Sequence, residues 1–491
     1  MRSAWLRLLA LVAAICAATA GRAQAPFDLD PGFVVDIYKR YVSSVLVLPD
    51  GRLYISGEFY YPGDISYRSI GRLLPNGQPD PSFLPTNGGG GKITPWGSGF
   101  YVTSGPGVRR WTLNGTIDSQ FSMINTPYFG AIQAGDYHVY PDGRVLFSGA
   151  HELSDSIRGY QGIYSLIWFT NTGYLDTTQH HRYCNGSVNK IQPLPDGRFL
   201  LSGVFSTYEG QPVGSIIRVE ADGALDTTFN TSIAWGWARH LVPQDNGSII
   251  AAGFFRYTGE TDTLHVMRLL PNGDRDPAFH YALEMNNANY GSNQDVRALH
   301  QLPDGRLLVG GNFDLVDGHQ RKGLYMLDSL GNLLPNDLPG AGCGTFTDGQ
   351  FQSHHIMGIV EDNNGGYYIH GSYYTYDDGT TYSIAQRFIT RLYGLNVGVP
   401  EVAQAPLLEV FPNPSTGAFT LELDLPENAP ISGDLLLQVF DMQGRQVVVR
   451  GLGRDHYQRI ALDLANEPAG LYSAHLSDGR RILTGVRLVR E

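Results

Sequence analysis

Short apolar runs separated by polar turn residues recur along most of the chain. The clearest copy is the stretch 302–313, which reads Leu-Pro-Asp-Gly-Arg-Leu-Leu-Val-Gly-Gly-Asn-Phe. Its Asp-Gly pair supplies the positive φ angles of a tight turn, and the apolar residues on either side suit two antiparallel strands. The stretch therefore predicts a β-hairpin.

The same turn returns at a nearly constant interval. Asp-Gly or Asn-Gly pairs occupy equivalent positions at residues 50–51, 142–143, 196–197, 246–247, 304–305 and 364–365. The spacings from residue 142 onward are 54, 50, 58 and 60 residues, and the first gap of 92 residues holds a further turn at Gly97-Ser98-Gly99. Seven copies of one unit are the signature of a repeat architecture.

A second signature follows most of the hairpins. A short apolar run leads to Asn-Gly or Asp-Gly and then to Asp-x-x-Phe, as in residues 72–83, 111–121, 218–229 and 268–279. Two hairpins in a repeat of roughly 40–60 residues predict about four strands, which is typical of a β-propeller blade. Near-continuous apolar runs such as 307–309 indicate sheets covered on both faces. We predict an all-β fold with a seven-bladed β-propeller.

The two ends of the repeat array complement each other. The seventh repeat has its hairpin but lacks Asp-x-x-Phe, whereas Asp30-Pro31-Gly32-Phe33 stands alone ahead of the first hairpin. We expect the N-terminal segment to supply the outer strand of the last blade, which removes an exposed edge. The propeller is therefore predicted over residues 26–395.

The repeated Pro-Asp-Gly-Arg-x-Leu-x-x-Gly and Asp-x-x-Phe elements, spread over residues 28–395, resemble the tandem delta-type repeat of secreted bacterial β-propellers. The resemblance implies the fold. It implies little about activity, because propellers serve binding and catalysis alike.

A separate module is predicted after residues 396–406, which read as a linker. Seven short strands are expected at residues 407–411, 418–425, 435–440, 446–449, 458–464, 470–476 and 481–489. This number of strands in a module of this size predicts a small β-sandwich over residues 407–491.

This module resembles the type A C-terminal sorting domain of the type IX secretion system. The resemblance rests on residues 411–417, 439–445, 462–464, 468–472 and 486–490. It implies recognition by the outer-membrane type IX machinery and a location that is secreted or on the outer cell surface. The residues that it singles out as the sorting signal are Pro412, Asn413, Pro414, Gly417, Asp441, Gly444, Gly470 and Tyr472.

Composition and the N-terminus agree with export. Residues 1–23 are expected to form a signal peptide, with arginines at positions 2 and 7, an apolar core at 8–18 and small residues near the cleavage site. No later stretch is apolar for long enough to cross a bilayer. The formal net charge of −12 argues against nucleic acid as a partner.

The mature chain keeps two cysteines, Cys184 and Cys343, in a compartment that permits a disulfide. They precede the fourth and seventh hairpins, so a seven-membered ring places them nearly opposite each other. A disulfide needs Cα atoms within about 7 Å. Free or buried thiols are therefore favoured, unless long loops meet over the central channel.

Motifs for catalysis, cofactor binding or metal binding are not found in the sequence. Alternating carboxylates in 222–226 and 272–276 leave calcium open, although turn positions explain them equally well. The pairs His180-His181 and His354-His355 are expected to be solvated loop histidines. The candidate ligand-binding aromatic residues, which could stack on sugars, are Trp235, Trp237, Tyr373, Tyr374 and Tyr376.

Two functional readings follow. The favoured one is a non-enzymatic binding or adhesion module for a glycan, a protein or matrix, because rigid rings with variable loops suit that use. The alternative is an extracellular hydrolase or lyase that acts on polysaccharide or peptide, with convergent carboxylates or a His-carboxylate pair at one end of the channel. Recognition is expected in the segments that differ between repeats, which are 60–68, 150–162, 257–264 and 373–383.

Overall fold

A computed structural model describes residues 25–85, 88–97, 99–105, 107–123, 129–286, 294–349, 351–379, 382–395, 407–425, 435–442, 445–453, 457–478 and 482–491. The predicted signal peptide and linker lie outside these residues. The chain divides into two compact units, Met1–Asn396 and Val397–Glu491, and each is described by itself.

The regular elements of the first unit are β-strands. In chain order they are β1 (Tyr38–Val47), β2 (Leu53–Tyr60), β3 (Arg68–Leu73), β4 (Ile93–Trp96), β5 (Gly99–Ser104), β6 (Gly107–Thr112), β7 (Phe129–Val139), β8 (Val145–Asp155), β9 (Tyr160–Phe169), β10 (Ser187–Pro193), β11 (Phe199–Val204), β12 (Thr207–Tyr208), β13 (Gln211–Pro212), β14 (Ile216–Val219), β15 (Ile233–Pro243), β16 (Ile249–Tyr257), β17 (Leu264–Leu269), β18 (Met285–Asn286), β19 (Asp295–Gln301), β20 (Leu307–Asn312), β21 (Leu315–Val316), β22 (His319–Gln320), β23 (Leu324–Leu327), β24 (Gly342–Gly344), β25 (Phe346–Asp348), β26 (Phe351–Ser353), β27 (His355–Glu361), β28 (Tyr367–Asp377) and β29 (Tyr382–Leu392).

Among the described residues, seven sheets of three or four strands that each contain a predicted hairpin follow one another along this unit, and a further small sheet, β18-β21-β22, lies outside this series. The seven sheets of the series are β1-β2-β3, β4-β5-β6, β7-β8-β9, β10-β11-β14, β15-β16-β17, β19-β20-β23 and β24-β28-β27 with β29 on β28. We call them sheets one to seven. The strands within each sheet pair antiparallel, and each predicted hairpin turn joins the first two long strands of its sheet.

The recurrent Asp-Gly-Arg is a local structural device. Gly305 has a φ of 87°, which its turn requires and which other residues rarely adopt. The Arg306 side chain returns to Asp304, with Nε donating to Oδ2 at 2.9 Å. The same pairing occurs at the turns that end in Arg52, Arg144 and Arg198. The motif therefore serves the turn in the four repeats that carry it.

Sheets one to six have three regular strands where the sequence predicts about four. The fourth position is reduced to single bridges, which are Leu73 with Pro79, Trp111 with Ile117, Phe169 with Leu175, Val219 with Leu225, Leu269 with Arg275 and Leu327 with Leu333. The chain leaves the sheet after one pair because the Asp-x-x-Phe segment forms its own tight turn. In that turn the Phe83 N–H donates to the Asp80 carbonyl at 3.2 Å.

The aspartate of Asp-x-x-Phe anchors an arginine on the third strand. Nε of Arg72 donates to Asp80 Oδ2 at 2.7 Å, and the guanidinium lies 4.9 Å from the centre of the Phe83 ring. Equivalent pairs of 2.7 Å join Arg110 to Asp118, Arg218 to Asp226 and Arg268 to Asp276. The second sequence signature is thus one buried or half-buried ion pair repeated in four sheets.

The N-terminal segment lies against the last sheet. Leu29 forms an antiparallel bridge with Leu392, as the equivalent residues of the other sheets do within their own repeats. The Asp30 N–H donates to the Arg391 carbonyl at 2.9 Å, and the two side chains form an ion pair. The Phe33 ring is buried against residues of sheets one and seven.

Neighbouring sheets share hydrophobic cores. In sheet one, Tyr54 packs in a cluster with residues of sheet two, whereas the adjacent Ile55 packs in a cluster with Tyr368 and Ile389 of sheet seven. Side chains that alternate along a strand are therefore buried on both faces of the sheet. This double burial explains why the strands read as continuous apolar runs.

The two cysteines are free and buried. Cys184 lies in a cluster between sheets three and four, and Cys343 lies in a cluster between sheets six and seven. Burial raises the pKa of both thiols.

The described residues of the second unit form seven strands, and their bounds agree with the predicted ones to within three residues. They are β30 (Leu407–Phe411), β31 (Ala418–Asp424), β32 (Leu435–Asp441), β33 (Gln446–Leu452), β34 (Tyr457–Asp463), β35 (Gly470–Ser477) and β36 (Ile482–Arg490). A three-stranded sheet, β30-β31-β34, and a four-stranded sheet, β33-β32-β35-β36, contribute to one hydrophobic cluster. In neither unit do the described residues include a helix of the length and apolarity that crosses a bilayer.

Candidate functional site

Strand β15 presents two tryptophans on one face. In the segment Trp235-Gly236-Trp237 the side chains of the first and third residues share a face because alternate residues of a strand do. The other face carries Ala238, which is buried in the core shared with sheet four. Gly236 has a φ of 94°, and a Cβ there would lie 1.9 Å from the Phe254 carbonyl oxygen. A glycine is therefore required between the two tryptophans.

Phe254 of β16 completes an aromatic platform, by which we mean Trp235, Trp237 and Phe254. The Phe254 ring centre lies 5.2 Å from that of Trp235 and 5.9 Å from that of Trp237. The Arg256 guanidinium lies 5.2 Å from the Trp235 ring and that of Arg239 lies 4.4 Å from the Trp237 ring. Trp235 keeps 53% of its surface exposed, so this large ring is available to a ligand.

A cavity of about 810 Å³ opens beside the platform, and we call it the aromatic cavity. Sheets five, six and seven and the loop before β17 supply its lining, which is Trp235, Phe254, Arg256, Thr263, His265, Gln294, Asp295, Arg297, Asn312 and His355. A cavity of about 260 Å³ shares Trp235, and one of about 710 Å³ shares Thr263, His265 and Gln294. The three cavities are therefore adjacent to one another.

Arginines outnumber carboxylates at the aromatic cavity. Asp295 accepts from Nη2 of Arg239 and from Nε of Arg297, each at 2.8 Å. Burial and the nearby Arg297 lower the pKa of Arg239 in spite of Asp295, which shows that one carboxylate faces two cations. Arg256 adds a third cation, so the site has a positive excess in a chain whose net charge is −12.

His355 lies on the wall of the aromatic cavity and is 9% exposed. Its Nε2 has no hydrogen-bond partner among the described residues. Burial, Arg297 and Arg239 hold the pKa of His355 well below its usual value, so the imidazole is neutral. A neutral imidazole offers one donor and one acceptor to a ligand.

The structure separates the predicted aromatic candidates. The expectation that Tyr373 and Tyr376 present their rings to a ligand is wrong, because they are 0% and 1% exposed in the core between sheets six and seven. They belong to β28, which pairs with three other strands and is covered on both faces. Tyr374 is half-buried against Phe346. Trp235 and Trp237 are the candidates that reach the surface.

The expectation of solvated loop histidines is also wrong for three of the four. His181, His354 and His355 are buried, and His180 is exposed. His354 Nε2 lies 3.2 Å from Asp314 Oδ1, but this His-carboxylate pair is buried and does not line the aromatic cavity.

In the two segments with alternating carboxylates, 222–226 and 272–276, aspartates form ion pairs with arginines. Asp226 and Asp276 are the partners of Arg218 and Arg268 described above, and Asn272 Oδ1 accepts the N–H of Asp274 at 3.1 Å. Within the part of the chain that the structure describes, no group of three or more His, Cys, Asp or Glu side chains is placed to hold a metal ion.

A second polar cluster involves the first strands of several sheets. Lys92 Nζ donates to Asp136 at 2.8 Å, and Lys190 Nζ lies 3.3 Å from the same carboxylate. The two cations hold the pKa of Asp136 well below its usual range, although burial opposes them. His240, near Lys190, has its pKa lowered to about 3, chiefly by burial.

Buried histidines make the stability of the first unit depend on pH. Burial lowers the pKa of His370 to about 4. His370 of the unfolded chain therefore binds a proton near pH 6.5, whereas His370 of the folded chain stays neutral down to about pH 4. The stability of the fold decreases as the pH drops from 6.5 toward 4. At pH 5 this one group costs about 2 kcal/mol. We expect H370Q to reduce the loss of stability between pH 7 and pH 5 by that amount.

Urea unfolding followed by tryptophan fluorescence measures this effect, because every tryptophan after residue 23 lies in the first unit. The matched control is H180Q, since His180 is exposed. Equal pH dependence in H370Q and the parent chain would contradict the assignment.

The predicted sorting-signal residues serve two purposes in the second unit. Asn413 holds β36, because its Oδ1 accepts the Val489 N–H at 2.8 Å and its Nδ2 donates to the Arg487 carbonyl at 2.7 Å. Gly417 has its carbonyl bonded to the Leu464 N–H at 2.7 Å. Pro412 and Pro414, whose peptide bonds are cis, flank Asn413. These residues shape the turn before β31.

Three of the four remaining sorting-signal residues, Asp441, Gly470 and Tyr472, line one cavity of about 600 Å³, which we call the sorting cavity. Asp441 and Tyr472 are paired across β32 and β35, and Gly470 lies two residues before Tyr472. Arg445 binds Asp441, with Nε and Oδ2 separated by 2.9 Å, and the exposed Met442 also lines the cavity. Gly444 lies outside the described residues.

Sequence reasoning found the two tryptophans of the platform but missed Phe254, Arg239, Arg256, Asp295, Arg297 and His355. A signal for some of them was present, because Arg239 continues the alternation of Trp235 and Trp237, and Phe254-Phe255-Arg256 alternates in the same way. The contribution of Asp295, Arg297 and His355 depends on how sheets pack, which alternation within a strand does not reveal.

Comparisons with known proteins identify both parts of the chain in outline. Residues 48–83, 194–229, 244–279 and 302–333 match the family described as a domain of unknown function (DUF5122) beta-propeller. Residues 409–489 match the family described as a secretion system C-terminal sorting domain, which indicates export to the cell surface or the exterior. The chain matches no curated protein.

Among solved structures, a biofilm associated protein BSP domain is 8% identical to this chain, with a TM-score of 0.17. The similarity covers 96% of this chain and 84% of that one, and at this TM-score it carries no argument. Trp235, Trp237 and Arg297 fall between the matched propeller segments, whereas Phe254 and Arg256 lie within one of them.

Proposed function

We propose that the chain is an exported, seven-bladed β-propeller of the delta-repeat type that binds a glycan at the aromatic platform. Its second unit is a β-sandwich that the type IX secretion machinery recognises, and residues 1–23 are its signal peptide. The mature protein is released or held at the outer cell surface. The observation that carries the binding function is the exposed aromatic platform beside the aromatic cavity.

Seven sheets with shared cores support the proposed ring. Sheet one shares a cluster with sheet seven as well as with sheet two, and Leu29 occupies the outer position of sheet seven. The N-terminal segment then closes the last blade, and the propeller spans residues 26–395.

A glycan fits the platform better than the other ligand classes considered. An aromatic face packs against the apolar C–H face of a sugar ring, and nearby polar groups bind its hydroxyls. Trp235 combines a large exposed ring with nearby donors and acceptors such as Thr263, His265 and Asn312. The neighbouring cavities give room for several sugar units along one surface.

A catalytic role at this cavity has less support. Of the described residues that line it, one is a carboxylate, Asp295, and both of its oxygens bind arginine side chains. Hydrolysis of a glycosidic bond commonly uses two carboxylates on either side of the bond. The lining therefore favours binding over hydrolysis.

We expect W235A to weaken glycan binding by roughly tenfold or more, because burial of a large apolar side chain contributes on the order of 1.5–3 kcal/mol. The melting temperature should hardly change, since Trp235 is exposed. Residues 25–491 would be screened on a glycan array, and the dissociation constant of each hit would be measured by calorimetry for the parent chain and the variant.

The matched control is Y174A, which removes another exposed ring. The proposed site is wrong if W235A binds as the parent does, and the proposed function is wrong if the array and soluble polysaccharides yield no ligand.

A further inference from the structure

We propose that the aromatic cavity selects glycans that carry an anionic substituent, either a carboxylate or a sulfate ester on the sugar ring. The inference rests on the proposed glycan-binding function and deepens it. The observation behind it is a single carboxylate that binds two arginines, with a third arginine and a neutral histidine in the lining of the same cavity, next to the aromatic platform.

The arginines of the site keep donors that no described residue uses. Arg297 binds Asp295 through Nε, which leaves both of its terminal nitrogens without a described partner. Arg256 has one weak contact, from Nη2 to Thr263 Oγ1 at 3.3 Å. Two parallel N–H groups of a guanidinium match the two oxygens of a carboxylate or a sulfate, and such pairs are among the strong hydrogen bonds in proteins.

Asp295 orients the arginines without neutralising them. It binds Nε and Nη2 of Arg239 and Nε of Arg297, so it fixes two guanidinium planes with one negative charge. With Arg256, the cavity and its wall hold three cations and one anion. An anionic ligand would relieve the repulsion between Arg239 and Arg297.

His355 provides an independent indication of a ligand. The residue is 9% exposed, it lines the cavity, and its Nε2 is without a partner among the described residues. Leaving a buried polar group unsatisfied costs about 1–3 kcal/mol. Nε2 is itself buried, so a ligand oxygen would recover this cost only after the ring turns toward the cavity. Because burial, Arg297 and Arg239 disfavour protonation of His355, the ring would donate as a neutral group.

We expect the anionic group to be part of a sugar because the arginines lie next to the aromatic platform. Trp235 and Phe254 line the same cavity as Arg256, Arg297 and His355. A ring stacked on Trp235 would therefore place a substituent near these donors. A free inorganic anion would use the arginines but leave the aromatic surface unoccupied.

The test compares each acidic oligosaccharide with its neutral counterpart. Hexamers of galacturonate and mannuronate would be measured beside their carboxyl-reduced forms, and sulfated galactan hexamers beside their desulfated forms, by calorimetry on residues 25–491. We expect the acidic member of at least one pair to bind at least about tenfold more tightly, with affinity falling as salt is raised. The carboxylate and sulfate arms tell which group the cavity prefers.

The variant R297Q should weaken binding of the acidic member much more than binding of the neutral member. R297K keeps the charge but loses the planar guanidinium with its two parallel donors, so its loss of affinity for the acidic member should be intermediate. The control is R40Q, which changes an exposed arginine that also has a single carboxylate partner, Glu58. The melting temperature of each variant checks that the fold is intact.

The outcomes separate the two proposals. Equal affinity for the members of every pair, with binding still dependent on Trp235, overturns the anionic selectivity and leaves glycan binding standing. The anionic selectivity is also overturned if R297Q binds the acidic oligosaccharide as tightly as the parent chain does, since the anion is then held elsewhere. If no member of either series binds, this inference is wrong. If the glycan array also yields no ligand, the proposed function is wrong as well.

Discussion

Removal of residues 26–34 is expected to lower the melting temperature of the first unit by about 10 °C or more. The deletion takes away Phe27, Leu29 and Phe33, whose side chains are fully or almost fully buried. Loss of one such side chain costs roughly 2–5 kcal/mol, and the deletion also removes the Asp30 to Arg391 ion pair. The measurement is thermal unfolding of residues 35–491 against residues 25–491, followed by tryptophan fluorescence.

A peptide added in trans gives this prediction a matched control. A synthetic peptide of residues 25–36 should raise the melting temperature of the truncated chain in a concentration-dependent way, because a ligand that binds the folded state stabilises it by mass action. The same peptide with F33A should not, since the Phe33 ring packs between sheets one and seven. An unchanged melting temperature after truncation would refute closure by the N-terminal segment.

Deletion of residues 406–491 is expected to abolish export in a host with the type IX machinery, because the second unit carries the match to a sorting domain. The truncated protein should accumulate on the inner side of the outer membrane. It should remain folded, since each of the two units is compact by itself. Cell fractionation and immunoblotting measure the distribution. Undiminished export of the truncated chain would refute the assignment.

A point variant narrows the prediction to the sorting cavity. Met442 is exposed and lines the cavity beside Asp441 and Arg445. We expect M442A to reduce the exported fraction without changing the melting temperature. The matched control is V449A, which shortens another exposed apolar side chain on the same sheet. Equal effects of the two variants would show that the sorting cavity has no special role.

The repeats were predictable because their turns obey local rules. Gly305 and its equivalents need a positive φ, and only a few residue types supply it, so Asp-Gly and Asn-Gly mark the turns in the sequence itself. The strands of the second unit were located equally well, since turn residues bound each short apolar run. The predicted fourth strand is a single bridge in most sheets, because the chain turns after it so that an aspartate such as Asp80 can bind an arginine such as Arg72. A few alternating residues in the sequence do not reveal this turn.

The site was predictable only in part. Trp235 and Trp237 stand out through the glycine between them, whereas Tyr373 and Tyr376 look equally exposed in sequence and lie in the core. The difference arises because β28 is covered by sheets on both sides. A tyrosine-rich strand has the same composition whether its neighbours bury it or leave it open.

The sequence by itself determined the hairpin unit, its sevenfold recurrence, the all-β class and the strand positions of the C-terminal module, because each follows from backbone preferences within a few residues. The tertiary structure alone decided that the Asp30 side chain meets Arg391 and that Arg297 and His355 stand beside Trp235. Those contacts join residues far apart in the chain. They depend on how whole sheets pack, and local turn and strand preferences do not determine that packing.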